Sequence, residues 1–214
     1  MCFDLHSFFL PPVGLSLHKE GILACERYSV SLKKLPYRRL QHLIGIHISK
    51  REDPATQNVM DQLSSAMERG YLTKPELVTV CRWKSSRAMK HIRSNRERTI
   101  KEITKAAFAT RSERKKLALL TMLNGVSIPM ASSILTLTNP RRYGVIDIRV
   151  WQLLYTMGTV TTNPDGVGFD SQHWFRYLTI IRSFARRYKV GARDIERTLF
   201  NVHVLYQKGT LYED

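Results

Sequence analysis

The chain has 214 residues, 43% of them apolar, with 11 glycines and 8 prolines. That is enough apolar material for a sizeable core and too little Gly and Pro for long low-complexity tracts. Its 34 Lys and Arg against 18 Asp and Glu give a formal net charge of +16, which points to a polyanionic partner, because a folded domain carries such a charge only against self-repulsion. Cys2, Cys25 and Cys81 are scattered and odd in number, which excludes a disulfide framework, a zinc knuckle or a four-cysteine iron–sulfur cluster. No stretch approaches the roughly 18 apolar residues of a membrane span, and the opening MCFDLHSFFLPPVG lacks the basic start of a signal peptide. An intracellular, soluble protein without a membrane partner is expected.

Residues 1–52 form the least periodic segment, broken by Pro11, Pro12 and Pro36. The apolar run Leu43 to Ile48 fits a strand or a piece of helix equally well. From residue 53 onward the pattern is helical. Asp53-Pro54 reads as an N-cap followed by a first-turn proline. Val59, Met60, Leu63 and Met67 share one face, and Gly70 is placed to end the helix. Thr73 and Glu76 have capping-box spacing and open a helix towards Trp83. Short helices are predicted near 86–94 and 96–109, the second with Ile100 and Ile103 facing inward. Ser112 caps a helix in which Leu117, Leu120 and Met122 are expected in the core, and Asn124-Gly125 stops it. Pro129 opens a helix to Thr138, and Asn139-Pro140 ends that one. Asp147 begins a helix reaching about Met157. The stretch 161–168 is a loop. Asp170 caps a long helix to about Lys189, ended by Gly191, and a last helix covers about 193–207. The prediction is an all-α protein with short connections.

Charge is concentrated in residues 82–116, which hold thirteen Lys or Arg against three acids. A solvated face and a phosphate-binding face both fit that pattern. Lys84 and Arg87 in this segment are expected to touch a phosphate backbone at most, with affinity falling steeply with salt.

The segment richest in chemistry is 117–155, LALLTMLNGVSIPMASSILTLTNPRRYGVIDIRVWQLLY. It reads as helix, glycine turn, helix, connector, Asp, helix. Gly125 and Ser127 permit close backbone approach at the turn, and the following helix offers free N–H groups and a positive dipole end to an anion. Asp147 falls 22 residues after Gly125. As a bare pattern, this Asp is an N-cap.

With its hairpin-like LNGVS, the small-residue ASSIL and the VID ahead of the next helix, this stretch resembles the helix-hairpin-helix base-excision glycosylases. That superfamily includes endonuclease III, MutY-type adenine glycosylases, alkyladenine glycosylases and 8-oxoguanine DNA glycosylases. The resemblance implies a two-lobed helical bundle with a cleft between the lobes. The least periodic segment, 1–52, is then expected to pack irregularly on the body, and the helical domain of this kind to cover 53–214, with the hairpin at about 112–138 and the catalytic loop and helix at 140–157. The resemblance implies double-stranded DNA as partner, a monomer, and hydrolysis of the N-glycosidic bond of a flipped damaged or modified base. Asp147 takes the place of the catalytic carboxylate, which stabilises positive charge on the sugar and orients water. Gly125, Ser127, Met130 and Arg149 take the phosphate-binding positions. The backbone carbonyls of Thr121, Leu123 and Val126 take the place of a monovalent-cation site.

Asn124 and Ser127 depart from the family's hairpin. Pro129 stands where strand-cleaving members carry a lysine, so an enzyme that uses water and stops at the abasic site is expected. No iron–sulfur cluster is expected, which points away from the endonuclease III and MutY types.

A flipped base needs a pocket with stacking groups. The aromatic and imidazole candidates are Trp83, Trp151, His173, Trp174, Phe175, Tyr177, Phe200, His203 and Tyr206. By resemblance to 8-oxoguanine glycosylases, whose C-terminal helix lines the pocket, His203, Tyr206 and Gln207 join Trp174 as preferred pocket residues. Two other functions fit the charge: a non-catalytic module that recognises altered or structured DNA, and a helical protein serving RNA or ribosome contacts.

Overall fold

The computed structural model describes residues 32–208, and within that range the protein is all-α. The helices are α1 (Leu40–His47), α2 (Pro54–Gln62), α3 (Ser64–Arg69), α4 (Lys74–Lys84), α5 (Met89–Ser94), α6 (Glu97–Ala109), α7 (Glu113–Leu120), α8 (Ile128–Thr138), α9 (Ile148–Thr156), α10 (Ser171–Tyr188) and α11 (Ala192–Tyr206). A 3-10 turn, Ser86–Ala88, joins α4 to α5. None of these helices is long and apolar enough to cross a membrane.

Helix starts follow local chemistry. Asp53 accepts the Thr56 N–H at 2.8 Å, and Pro54 occupies the first turn, where its missing N–H costs nothing. Thr73 and Glu76 cap each other reciprocally at the start of α4. Ser112 accepts from the Lys115 N–H, and Asp170 and His173 cap α10. Caps of this kind are worth about 1 kcal/mol each.

Helix α8 organises the interior. Residues Met130 to Leu137 are all buried, so it is covered on every side by its neighbours. Its polar residues fit because Ser132, Ser133 and Thr136 donate their hydroxyls back to the Pro129 and Ser132 carbonyls. Small side chains there let α4 pack closely through Leu77, Val80 and Cys81, while α2, α3 and α7 close other sides. A second group forms where α11 packs against α9, α10 and α1.

Several expectations change. The run near Leu43 settles as helix α1, whose Leu43 and Ile44 are fully buried. Residues 1–31 of the expected irregular segment lie outside the described residues. Within the segment 1–52, helix α1 packs on α11. The helix from Asp53 is interrupted at Leu63, and the resulting phase change buries Ala66 and leaves Met67 39% exposed. Helix α7 ends at Leu120, four residues ahead of Asn124, so Met122 leaves the helical face and is 67% exposed instead of core. Lys189, in the left-handed region at φ 55°, terminates α10, and Gly191 is the N-cap of α11.

Candidate functional site

The connector 139–146 delivers Asp147 to its position. The Ile146 N–H donates to the Ser132 hydroxyl at 3.2 Å, and the Tyr177 hydroxyl donates to the Val145 carbonyl at 2.7 Å. Gly144 lies so close to α11 that a Cβ there would meet Glu196 Cβ at 2.7 Å. Any side chain at this position would push the connector away. Asp147 then adopts extended backbone (φ −138°, ψ 152°) as the N-cap of α9.

Both carboxylate oxygens of Asp147 are engaged. Oδ1 accepts the Arg149 N–H at 3.0 Å, and Oδ2 accepts from Lys84 Nζ at 2.5 Å. Burial pushes the carboxyl pKa up. The Lys84 charge, its hydrogen bond and the Arg149 N–H outweigh that and hold it below the ordinary carboxylate value. The group is therefore an anion at neutral pH. It is not sealed, because the side chains of Lys84 and Asp147 are 18% and 20% exposed.

Two pockets meet at this pair. Among the described residues they share Lys84 and Asp147 and no other. The larger, about 720 Å³, lies in the size range of small-molecule sites. Its walls include Trp83 and Phe200, each with a guanidinium over its ring: Arg193 at 5.7 Å from the Trp83 centroid and Arg149 at 5.6 Å from Phe200. Trp83 is fixed by donating to the Thr56 hydroxyl at 2.9 Å. Behind them, Glu52 accepts from both Arg193 and Arg197 at 2.8 Å, and Arg193 also holds Glu196. Burial raises the Glu196 pKa against the pull of Arg193, while Glu196 and Glu52 raise that of Arg193 against the effect of its burial.

The smaller pocket, about 340 Å³, is bounded by Ser127 and Pro129 on one side and by the loop Gly166 to Phe169 on the other. Gly166 has φ +68°, and a Cβ there would lie 3.0 Å from the Ile148 carbonyl oxygen. Only glycine lets the loop rest against the start of α9.

The turn between α7 and α8 is clamped by Asn95. Its side-chain amide donates to the Asn124 carbonyl and accepts the Asn124 N–H, both at 2.9 Å. Gly125 sits at φ +79°, and a Cβ there would lie 2.9 Å from His91 Cβ and 3.2 Å from the Ala88 carbonyl oxygen. The close approach that glycine permits is thus taken up by the chain's own α5. Ser127 makes no capping hydrogen bond to α8, and its side chain is exposed. The Leu123 carbonyl accepts the Val126 N–H at 3.0 Å and keeps its second lone pair.

The expected base-pocket residues are placed elsewhere. Trp174 is fully buried, stacked on Tyr143 and tilted against Tyr177, because its face of α10 packs into the core. His203 is fully buried and bonded to Gln152 at 3.0 Å, and burial lowers its pKa to about 4. Tyr206 packs edge-on against Tyr37. Gln207 contacts the Arg149 side chain and bridges to Leu32. None of the four lines either pocket.

Helix α11 does supply pocket residues, but from earlier turns: Arg193, Glu196, Arg197, Phe200 and Asn201. Of the other aromatic candidates, Trp83 and Phe200 line the large pocket. Trp151 and Tyr177 are core, His173 packs on Trp151, and Phe175 lies under Arg114. Lys84 and Glu52 were missed as site residues. Their partners lie 63 and 141 or more positions away in the chain, and nothing local marks them.

In the basic segment, Arg82, Arg87, Lys90, Arg93, Arg96, Lys105, Arg111, Arg114 and Lys115 are exposed. Lys116 is buried and donates to the Ala107 carbonyl, where it closes the end of α6. Comparison with protein-family models, curated proteins and solved structures finds no match.

Proposed function

We propose that the protein is a helix-hairpin-helix DNA glycosylase that removes a damaged or modified base from double-stranded DNA, with Asp147 as the catalytic carboxylate. The observation that carries this reading is the position of Asp147. It is a charged, partly open carboxylate at the junction of a pocket with aromatic walls and a pocket bounded by the α7–α8 turn. A nucleotide whose phosphate rests on the open N–H groups of α8 and whose base enters between Trp83 and Phe200 brings its sugar to that junction. Base departure leaves positive charge on the sugar. An ionised carboxylate there stabilises it and orients the water that completes hydrolysis.

In this reading Gly125, Ser127 and Met130 hold the backbone through the turn and the first N–H groups of α8. Arg149, tied to Gln207, lines the larger pocket and is its phosphate contact in this reading. A monovalent cation on the carbonyls of Thr121, Leu123 and Val126 belongs to the same proposal, as does a monomer working inside the cell on duplex DNA. The exposed cations of 82–116 supply the sequence-independent part of DNA binding.

The test is a panel of duplexes, each with one altered base, scored for abasic-site formation by the wild-type protein. One duplex giving abasic sites supports the reading, and a panel with none overturns it. A second reading, a non-catalytic module recognising altered or structured DNA, draws on one observation: both Asp147 oxygens already have partners within the chain. That reading predicts selective binding to one duplex of the panel with no base release.

A further inference from the structure

We propose that a basic cleft between the connector after α8, the end of α10 and the start of α11 binds an oligophosphate, the short chain of linked phosphate groups found in a nucleoside triphosphate or an inorganic polyphosphate. The cleft is independent of the Asp147 site. Its volume, about 750 Å³, lies in the size range of small-molecule sites. Among the described residues it shares none with the two pockets at Asp147. It lies just past the end of α8, whereas the α7–α8 turn stands at the other end of that 11-residue helix, about 16 Å away.

Six cations line the cleft: Lys50, Arg141, Arg142, Arg182, Arg186 and Lys189. Asp194 is the one acid among the described lining residues, and both its oxygens are engaged. Oδ1 accepts from Arg197 and Oδ2 accepts the Gly191 N–H, each at 2.9 Å. Glu113 neutralises Arg142 and Arg182 in part, at 2.9 Å from both. Lys50, Arg141, Arg186 and Lys189 are exposed and form no ion pair among the described residues. The negative end of the α10 dipole accounts for Arg186 and Lys189. It does not account for Lys50, from the segment before α2, or for Arg141, from the connector. A solvated helix face draws its charge from one stretch of chain. Here three stretches bring cations to one concavity against their mutual repulsion. A polyanion seated there offsets that cost.

The floor of the cleft is fixed by the chain itself. The Pro140 and Arg141 carbonyls accept the Arg193 and Ala192 N–H groups, each at 3.0 Å. Gly191 lies so close to this bend that a Cβ there would be 3.1 Å from the Pro140 carbonyl oxygen. Arg182 Nε donates to the Arg142 carbonyl at 2.9 Å. The connector is thus stitched to α10 and α11, and a ligand meets a small ordering cost. Four of the six cations are arginines, whose planar guanidinium suits bidentate contact with phosphate oxygens. A lone phosphate is spanned by one or two of them. A phosphate chain carries enough oxygens to engage cations on more than one wall. A DNA duplex presents its phosphates on a convex surface, so the concave shape favours the compact ligand.

The experiment is calorimetric titration of the full chain at physiological salt with orthophosphate, tripolyphosphate and ATP. Tripolyphosphate is expected to saturate one site and to bind at least about tenfold tighter than orthophosphate. The double variant Arg141→Ala with Arg186→Ala is expected to lose at least about tenfold in tripolyphosphate affinity at an unchanged melting temperature. Lys105→Ala with Lys115→Ala removes the same charge from the exposed sides of α6 and α7, and its affinity is expected to stay within about twofold of wild type. Lys50→Ala and Lys189→Gly, the second keeping the left-handed backbone, are expected to cost about threefold each and serve if the first pair fails to fold. ATP no more than about threefold tighter than tripolyphosphate assigns the phosphate chain alone as the ligand, and a larger advantage assigns a nucleotide source. No saturable binding, orthophosphate binding as tightly as tripolyphosphate, or equal losses in the two double variants overturns the proposal. A duplex weakened at least about tenfold by Arg141→Ala with Arg186→Ala, with tripolyphosphate inert, overturns it in favour of a second nucleic-acid contact.

Discussion

Two groups of opposite charges lie within one pocket of this protein, and they are built differently. Glu52, Arg193, Glu196, Arg197 and Asp194 form a closed network in which each guanidinium meets two carboxylates, with the Arg193, Glu196 and Glu52 side chains 3–10% exposed. The network ties the segment before α2 to α11, and its members satisfy one another. Lys84 and Asp147 form a single pair, twice as exposed as most of the network, at a point where two pockets open onto it. A network that closes on itself holds chain segments together. A pair left facing empty space on both sides has charge and protons available to something that enters.

The comparison is broken most sharply from the network side. Glu52→Gln leaves two buried guanidinia short of a counter-charge, and a loss of about 3–5 kcal/mol is expected, read as a lower denaturation midpoint at unchanged slope. A loss under about 1 kcal/mol would show that Glu52 is dispensable and that the contrast with the open pair is false.

His203 gives the next largest effect and sharpens the division between core and pocket. Its folded pKa, about 4, lies below the unfolded value near 6.5, so the unfolded chain binds more protons between those limits. His203 therefore subtracts nothing above pH 6.5, and stability falls as pH drops from 6.5 towards 4, by about 3 kcal/mol over the window. Urea midpoints measured across that window in wild type and His203→Asn check it. An identical slope in both would mean that His203 is hydrated and near the pocket after all.

Asn95→Ala comes third. It removes both hydrogen bonds to Asn124 and should cost about 1–3 kcal/mol. Since the turn then loosens beside Ser127, DNA affinity at low salt should also fall. Lost stability with unchanged affinity would detach the turn from DNA binding.

The parts legible in the sequence were those governed by local chemistry. Asp53, Thr73 with Glu76, Ser112, Asp147 and Asp170 all cap where their spacing placed them, because a cap is decided within four residues. Met67 and Met122 were misplaced because a one-residue break at Leu63 and an early end at Leu120 rotate the residues beyond them. The sequence does not separate Trp174 and His203 from pocket residues, because an aromatic or imidazole on an amphipathic helix looks the same on either face. Which face meets the pocket is set by how α9, α10 and α11 pack on one another. In the sequence Lys84 is one cation of a basic run, expected at most at a phosphate. Its role depends on Asp147 arriving from 63 residues away, along a connector whose path Gly144 permits.

The central claim is that the Asp147 carboxylate acts on the substrate and does more than cap α9. Asp147→Asn separates the two roles, since Asn caps a helix about as well as Asp but carries no charge. On the duplex that the wild type processes, single-turnover release of the base should slow by about 10²–10³-fold while the melting temperature changes by only a few degrees. Release within about threefold of the wild-type rate would contradict the account and leave Asp147 as a structural cap.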